Sequence, residues 1–200
     1  MTTVFEQAWS TMQSFAWYEW VALLTGIVYV WLAALQKRSC WYWGILSCAL
    51  WAYADINYYL LYLDALLQFF YIGMGIWGLK QWSAASTGVD LQIERMSWRD
   101  HLRFLWWVIP GSFLFGYLFD NYTPAAATYA DAFTTIAAIA ATWLTVRRYL
   151  ENWIYWIVID LIYIGITGSR TAYLYALLYL IYTLVAIWGL ISWYRVWRRQ

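Results

Sequence analysis

The 200-residue chain is 64% hydrophobic and only 12% charged, and its formal net charge is +1. Soluble domains average roughly 45–50% apolar and about 25% charged, so this balance excludes an ordinary soluble domain, and the near-zero charge excludes a nucleic-acid surface. Aromatic residues reach 23%, with 18 Trp and 19 Tyr, more than membrane-interface belts alone use, so some are expected to line an interior site.

Chemistry that needs a cofactor leaves no trace. Cys40 and Cys48 share no metal-ligand spacing, and the single histidine, His101, is expected in a loop beside Arg99 and Asp100. No phosphate-binding glycine loop and no HExxH motif occur. Neither a metal, a cofactor nor an enzymatic activity is expected.

Residues 1–10 lack a basic n-region, so no cleaved signal peptide is expected. Trp17–Leu35 is long and apolar enough for a spanning helix and ends at Gln36-Lys37-Arg38. The next apolar run, Trp41 to Leu79, would be about 58 Å long as one helix, roughly twice a bilayer core, so it must fold back.

An internal repeat locates that fold. Residues 62–82 and 173–193 agree at 11 of 21 positions at a spacing of 111, and Lys37-Arg38 and Trp43 pair with Arg147-Arg148 and Trp153 at a spacing of 110. The turn visible at Thr167-Gly168-Ser169-Arg170 then predicts a hidden one at Ile56-Asn57-Tyr58-Tyr59, giving helices near 41–56 and 59–82.

A polar stretch, 83–100, follows and is expected to hold a short amphipathic surface helix around Leu91–Trp98. Further spans are expected at Leu102–Phe119, kinked at Pro110-Gly111, at Pro124–Val146, at Trp153–Ile166 and at Thr171–Val196. The fold class is therefore an all-α polytopic membrane protein with seven transmembrane helices, two parallel three-helix repeats joined by one helix. Residues 1–82 form the first repeat with its N-terminal segment, 83–123 the loop and linker helix, and 124–200 the second repeat with a basic tail.

Basic residues orient the chain. With the N-terminus outside and the C-terminus inside, 11 of the 12 Lys and Arg residues fall in inner loops, Arg170 being the exception. One linker helix re-inverts the chain after three spans, which makes the repeats parallel, as in SWEET-type transporters.

Polar groups at membrane depth mark the site, because they are costly to keep there. Asp131 lies in the outer part of the fifth span with Thr134 and Thr135 one turn on, and Asp160 lies in the middle of the sixth. Trp153, Trp156, Asp160 and Tyr163 share one helical face. So do Asp64, Gln68, Tyr71 and Gly75, and Tyr175, Tyr179, Tyr182 and Ala186. Converging faces of this kind suit a planar, cationic, hydroxylated solute, held by carboxylates, aromatic rings and an amide. The bland alternative is that the acids cap or join helices and the tyrosines pack. Trp77 and Trp188, like Gly78 and Gly189, recur in both repeats and read as architecture and close helix packing. Neither acid sits in a glycine-flanked motif of an aspartyl intramembrane protease.

The stretch YADINYYLLYLDALLQFFYIGMGIWGLKQW, the block DAFTTIAAIAATWLTVRRYLENWIYWIVIDLIYI and the terminal YLYALLYLIYTLVAIWGLISW resemble PnuC-type nicotinamide riboside transporters over almost the whole chain. Within the second block the resemblance falls on Asp131, Glu151, Trp153, Trp156 and Asp160. One departure is Ile-Trp-Gly-Leu-Lys at 76–80, where many relatives read more like Tyr-Gly-Trp-Trp-Gln.

The resemblance implies a SWEET-like fold in the bacterial cytoplasmic membrane and facilitated diffusion of nicotinamide riboside, with a cytoplasmic kinase trapping the product. Thiamine and riboflavin carriers are related, and a membrane sensor that binds without translocating is the reading from another class. The residues expected to bind substrate are Asp64, Gln68, Tyr71, Asp131, Thr135, Trp153, Trp156, Asp160, Tyr179 and Tyr182.

Overall fold

Helix termini show how this chain turns without glycine or proline. The computed structural model describes residues 4–83, 92–122 and 129–200. Helix α2 (Trp17–Ala34) closes where the Lys37 amide reaches back to the Leu32 carbonyl (2.9 Å) and Gln36 adopts a left-handed φ of 57°. Helix α6 (Tyr129–Val146) closes identically, Tyr149 N–H to Leu144 C=O (3.0 Å) with Arg148 at φ 59°. Both are Schellman closures, which satisfy the last carbonyls of a helix.

The opposite end repeats the device. Helix α3 (Cys40–Ala54) widens into a π-helical turn, Asp55–Tyr59, and then Leu60 turns left-handed (φ 55°) before α4 (Tyr62–Gln81). Helix α7 (Asn152–Ser169) hands over to α8 (Tyr173–Trp197) through Thr171, also left-handed (φ 59°) and 111 residues from Leu60. The hidden turn therefore exists, at 60–61 rather than 56–59.

Two further elements complete the described chain, α1 (Val4–Ser14) and α5 (Trp98–Tyr122), which runs unbroken through Pro110. Eight α-helices are thus present among the described residues where seven were expected. The additional one, α1, packs against α8. The surface helix expected around Leu91–Trp98 is not formed over 92–97. That segment is extended because its backbone pairs with the α6–α7 loop, Glu94 N–H to Arg148 C=O (3.2 Å) and Leu150 N–H to Glu94 C=O (2.9 Å). Leu91 and the Pro124 start of the fifth expected span lie outside the described residues. His101 sits in the first turn of α5 rather than in a loop, and its Nδ1 is 2.7 Å from the Tyr155 hydroxyl.

Packing follows one scheme in both halves. Helix α3 lies between α2 and α4, and α7 packs on α6 and α8. The halves meet reciprocally, α2 on α8 and α4 on α6, with α5 laid against α6. Each half has one glycine that admits a buried indole. Gly189 meets Trp153, where an added Cβ would lie 2.8 Å from the ring, and Gly78 meets Trp41 more closely still. Trp41, not Trp43, is therefore the counterpart of Trp153, and the upstream spacing is 112 rather than 110. Trp41 and Trp153 are each only 2% exposed, whereas Trp43 is 41% exposed.

Large apolar side chains also face outward, among them Leu66, Trp106, Trp107, Phe113 and Leu184. An apolar exterior this extensive suits lipid rather than water. By length and composition, α2, α6 and α8 can each cross a membrane.

Candidate functional site

A belt of tyrosines lies where the two halves meet. Tyr163 of α7 stacks on Tyr179 of α8, with centroids 4.6 Å apart and planes 8° from parallel, and Tyr182 meets Tyr179 edge-on at 6.3 Å. Tyr71 of α4 is close enough to interact electrostatically with Tyr163 and with Cys48. The Tyr163 hydroxyl faces the hydroxyls of Thr134 and Thr135 on α6. Helix α2 approaches the same group, since a Cβ on Gly26 would lie 2.7 Å from the Tyr182 hydroxyl.

Asp160 supplies an acid to the belt. It is 4% exposed, it interacts with Tyr179 and Tyr182, and among the described residues it accepts no hydrogen bond. A buried carboxylate without a partner is costly, and a cation is the natural way to compensate it. Tyr71 and Tyr182 are equivalent positions at a spacing of 111, as are Gln68 and Tyr179. Cys48 occupies in the first half the position of Asp160 in the second, at the spacing set by Trp41 and Trp153. The scaffold is thus nearly symmetric, and at this pair of positions only the second half carries an acid.

Of the residues expected to bind substrate, Tyr71, Thr135, Asp160, Tyr179 and Tyr182 come together in this belt. Gln68 is half-buried one turn before Tyr71 on α4, and among the described residues its amide has no hydrogen-bond partner. Asp64 is exposed in the first turn of α4, within electrostatic reach of Tyr163. Gly75 faces α3, where a Cβ would lie 2.6 Å from Ile45.

Asp131, one turn before Thr134 on α6, is likewise within electrostatic reach of Tyr163 and forms an ion pair with Arg170 (2.5 Å). Two other expected residues are held elsewhere. Trp153 lies three turns away in the packed core against Gly189 and Trp193, about 15 Å along α7 from Tyr163. Trp156 donates its indole N–H to the Thr145 hydroxyl (3.2 Å).

Two clusters escape the sequence reading. Near the Asp131 end, Glu19 is 2% exposed and accepts hydrogen bonds from the Tyr59 hydroxyl and from the Ala16 amide (2.8 Å). An acid inside the first span was the available signal.

At the opposite, basic end, Arg148 hydrogen-bonds Gln36, its repeat equivalent 112 residues away. Its guanidinium also lies over Trp82 at 5.1 Å and Trp193 at 5.8 Å. These two indoles touch each other and exchange bonds between halves, Trp82 N–H to Val146 C=O (3.1 Å) and Trp193 N–H to Ala33 C=O (3.2 Å). Burial lowers the Arg148 pKa to about 10, so it remains charged at neutral pH. The halves are therefore sealed together at the basic end. The signal was the recurrence of Trp82 as Trp193.

The family model described as Nicotinamide mononucleotide transporter matches residues 16–195. The nicotinamide riboside transporter PnuC of Escherichia coli is 23% identical over 89% of this chain and 85% of its own length. That of Neisseria mucosa is 24% identical over 92% and 74%. The riboflavin/roseoflavin transporter RibM of Streptomyces davaonensis is 21% identical over 94% and 89%. A crystal structure of the vitamin B3 transporter PnuC superposes with a TM-score of 0.76 at 21% identity, covering 98% of this chain and 88% of the other. Together with the membrane-suited exterior, these matches make this an all-helical membrane protein with the PnuC fold, a transporter and not an enzyme, and the chain belongs to the nicotinamide mononucleotide transporter family.

Proposed function

We propose that this protein is a passive uniporter for nicotinamide riboside in the bacterial cytoplasmic membrane. The observation that carries the reading is Asp160, a buried acid facing stacked tyrosines between two halves of a transporter. A cationic nicotinamide ring matches both the carboxylate and the aromatic faces. Gln68, with no hydrogen-bond partner among the described residues, supplies hydrogen bonds to the ribose or carboxamide. The riboflavin transporter among the relatives raises a second substrate. Its isoalloxazine is neutral and gives Asp160 no counter-charge, which favours the cation. Thiamine is also a cationic aromatic, and only Gln68 separates the two: Gln68→Leu is expected to weaken nicotinamide riboside binding about tenfold, and thiamine binding less. Calorimetric titration of the purified protein with all three vitamins measures this, and equal losses would remove Gln68 from ribose recognition.

Transport is proposed to run between two parallel three-helix repeats, residues 1–82 and 124–200, joined by 83–123 in a 3+1+3 arrangement. The N-terminus is outside and the basic end faces the cytoplasm. Single cysteines placed at 95 and at 120 test this: in intact cells an impermeant reagent should label only position 120, and labelling at 95 would reverse the orientation.

Flux is proposed to need no energy source. The sequence has no nucleotide-binding loop, and a cationic substrate accounts for the buried acid without a proton. Net uptake then depends on a cytoplasmic kinase, because phosphorylation adds charge that the belt's carboxylate repels. In proteoliposomes without gradients, labelled nicotinamide riboside should enter until concentrations equalise, and enclosed kinase with ATP should raise accumulation above that level. Concentrative uptake driven by a pH gradient alone would replace uniport with proton coupling.

A further inference from the structure

A groove of about 490 Å³ opens at the basic end on the outer face of α7 and α8. Its floor is apolar, formed by Leu150, Ile154, Leu190 and Ile191, and its rim carries Arg95 and Arg195. It lies on the reverse side of the Trp153–Gly189–Trp193 packing, so it looks away from the substrate belt. Ile154 is 46% exposed and Ile191 44%, which marks this face as lipid-facing.

The rim is built rather than loose. Arg95 stacks over Trp197 at 5.0 Å and binds Glu151 through Nε alone (3.1 Å), so among the described residues its terminal amines are not engaged. Arg198 stacks over Tyr194, a lining residue, at 5.9 Å. Glu151, the one acid of the lining, is 3% exposed and already accepts bonds from Arg95 and from the Met96 amide (2.9 Å). Two guanidiniums, Arg95 and Arg195, therefore line an apolar trough whose only lining carboxylate is occupied, and a third, Arg198, stacks on its wall at Tyr194.

We propose that this groove binds an anionic glycerophospholipid, with its phosphate among Arg95, Arg195 and Arg198 and an acyl chain along Ile154, Leu190 and Ile191. Guanidinium groups grip phosphate oxygens through paired N–H donors, and basic pockets between helices on the cytoplasmic side collect acidic headgroups. A free anion would use the rim and leave the trough empty, whereas a zwitterionic lipid would fill the trough and gain little at the rim. The placement in the inner leaflet rests on the orientation proposed above; binding itself does not.

Purified full-length protein in neutral detergent is titrated with short-chain phosphatidylglycerol, short-chain phosphatidylcholine and inorganic phosphate, with binding read by native mass spectrometry and by thermal shift. Phosphatidylglycerol is expected to bind at least tenfold more tightly than either comparator. The exposed double variant Arg195→Gln/Arg198→Gln, which keeps the Arg95–Glu151 pair, is expected to remove most of that preference. Equal affinity for the two lipids, phosphate binding as tight as the lipid, or an unchanged double variant would each overturn the proposal. Nicotinamide riboside binding, measured on the same samples, reports separately on the transport reading.

Discussion

Asp160→Asn is expected to weaken nicotinamide riboside binding on the order of a hundredfold, about 2–4 kcal/mol, the usual consequence of removing one member of a desolvated ion pair. The same substitution should raise the thermal stability of the ligand-free protein, because it removes a buried carboxylate that accepts no hydrogen bond among the described residues. Opposite signs for affinity and stability separate a ligand's counter-charge from a structural acid, whose loss would lower both. Calorimetric titration and thermal melts in one detergent give the two readouts. Wild-type affinity in the variant would remove Asp160 from the site.

Arg148→Ala is expected to destabilise the fold by about 2–4 kcal/mol, since it deletes a half-buried hydrogen bond and two guanidinium–indole contacts while opening a space among Trp82, Trp193 and Gln36. Gln36→Ala removes only the hydrogen bond and should cost about 1 kcal/mol. Arg148→Lys keeps the charge without the planar fork and should fall between them. Denaturant-induced unfolding in detergent ranks the three. If Arg148→Ala costs no more than Gln36→Ala, the aromatic contacts contribute nothing.

Much of the helical layout was readable from hydropathy because lipid demands long apolar runs, and from Trp17 onward each described helix lies within a few residues of an expected one, the start of the fifth falling outside the described residues. The turn before α4 was readable only through the repeat, as Leu60 carries no turn chemistry of its own. What failed depends on distant partners. The segment 92–97 has the composition of a surface helix, but its amides and carbonyls pair with a loop more than fifty residues away. Residue identity pairs Trp43 with Trp153, and only the close approach of Trp41 to Gly78 reveals the true register. The short polar helix α1 lacks the length that announces a span.

The site was partly readable for the same reason. Helical spacing groups Trp153 with Asp160 and Tyr163, yet a face three turns long reaches from the tyrosine belt into the sealed core. Asp131 reads as an isolated acid until folding brings Arg170 beside it.

The contact between Gln36 and Arg148 could not be made by two separate identical subunits. On a true twofold axis each residue meets its own copy, so an arginine at that place would face an arginine and repel it. A tethered pair escapes that constraint, because each copy can drift independently. The same freedom applies at Cys48 and Asp160. Identical copies would bring two carboxylates, or none, to one chamber. With Cys48 in the place of a second Asp160, the tethered halves bring one carboxyl group to that pair of positions, the asymmetry that a singly charged cation would need.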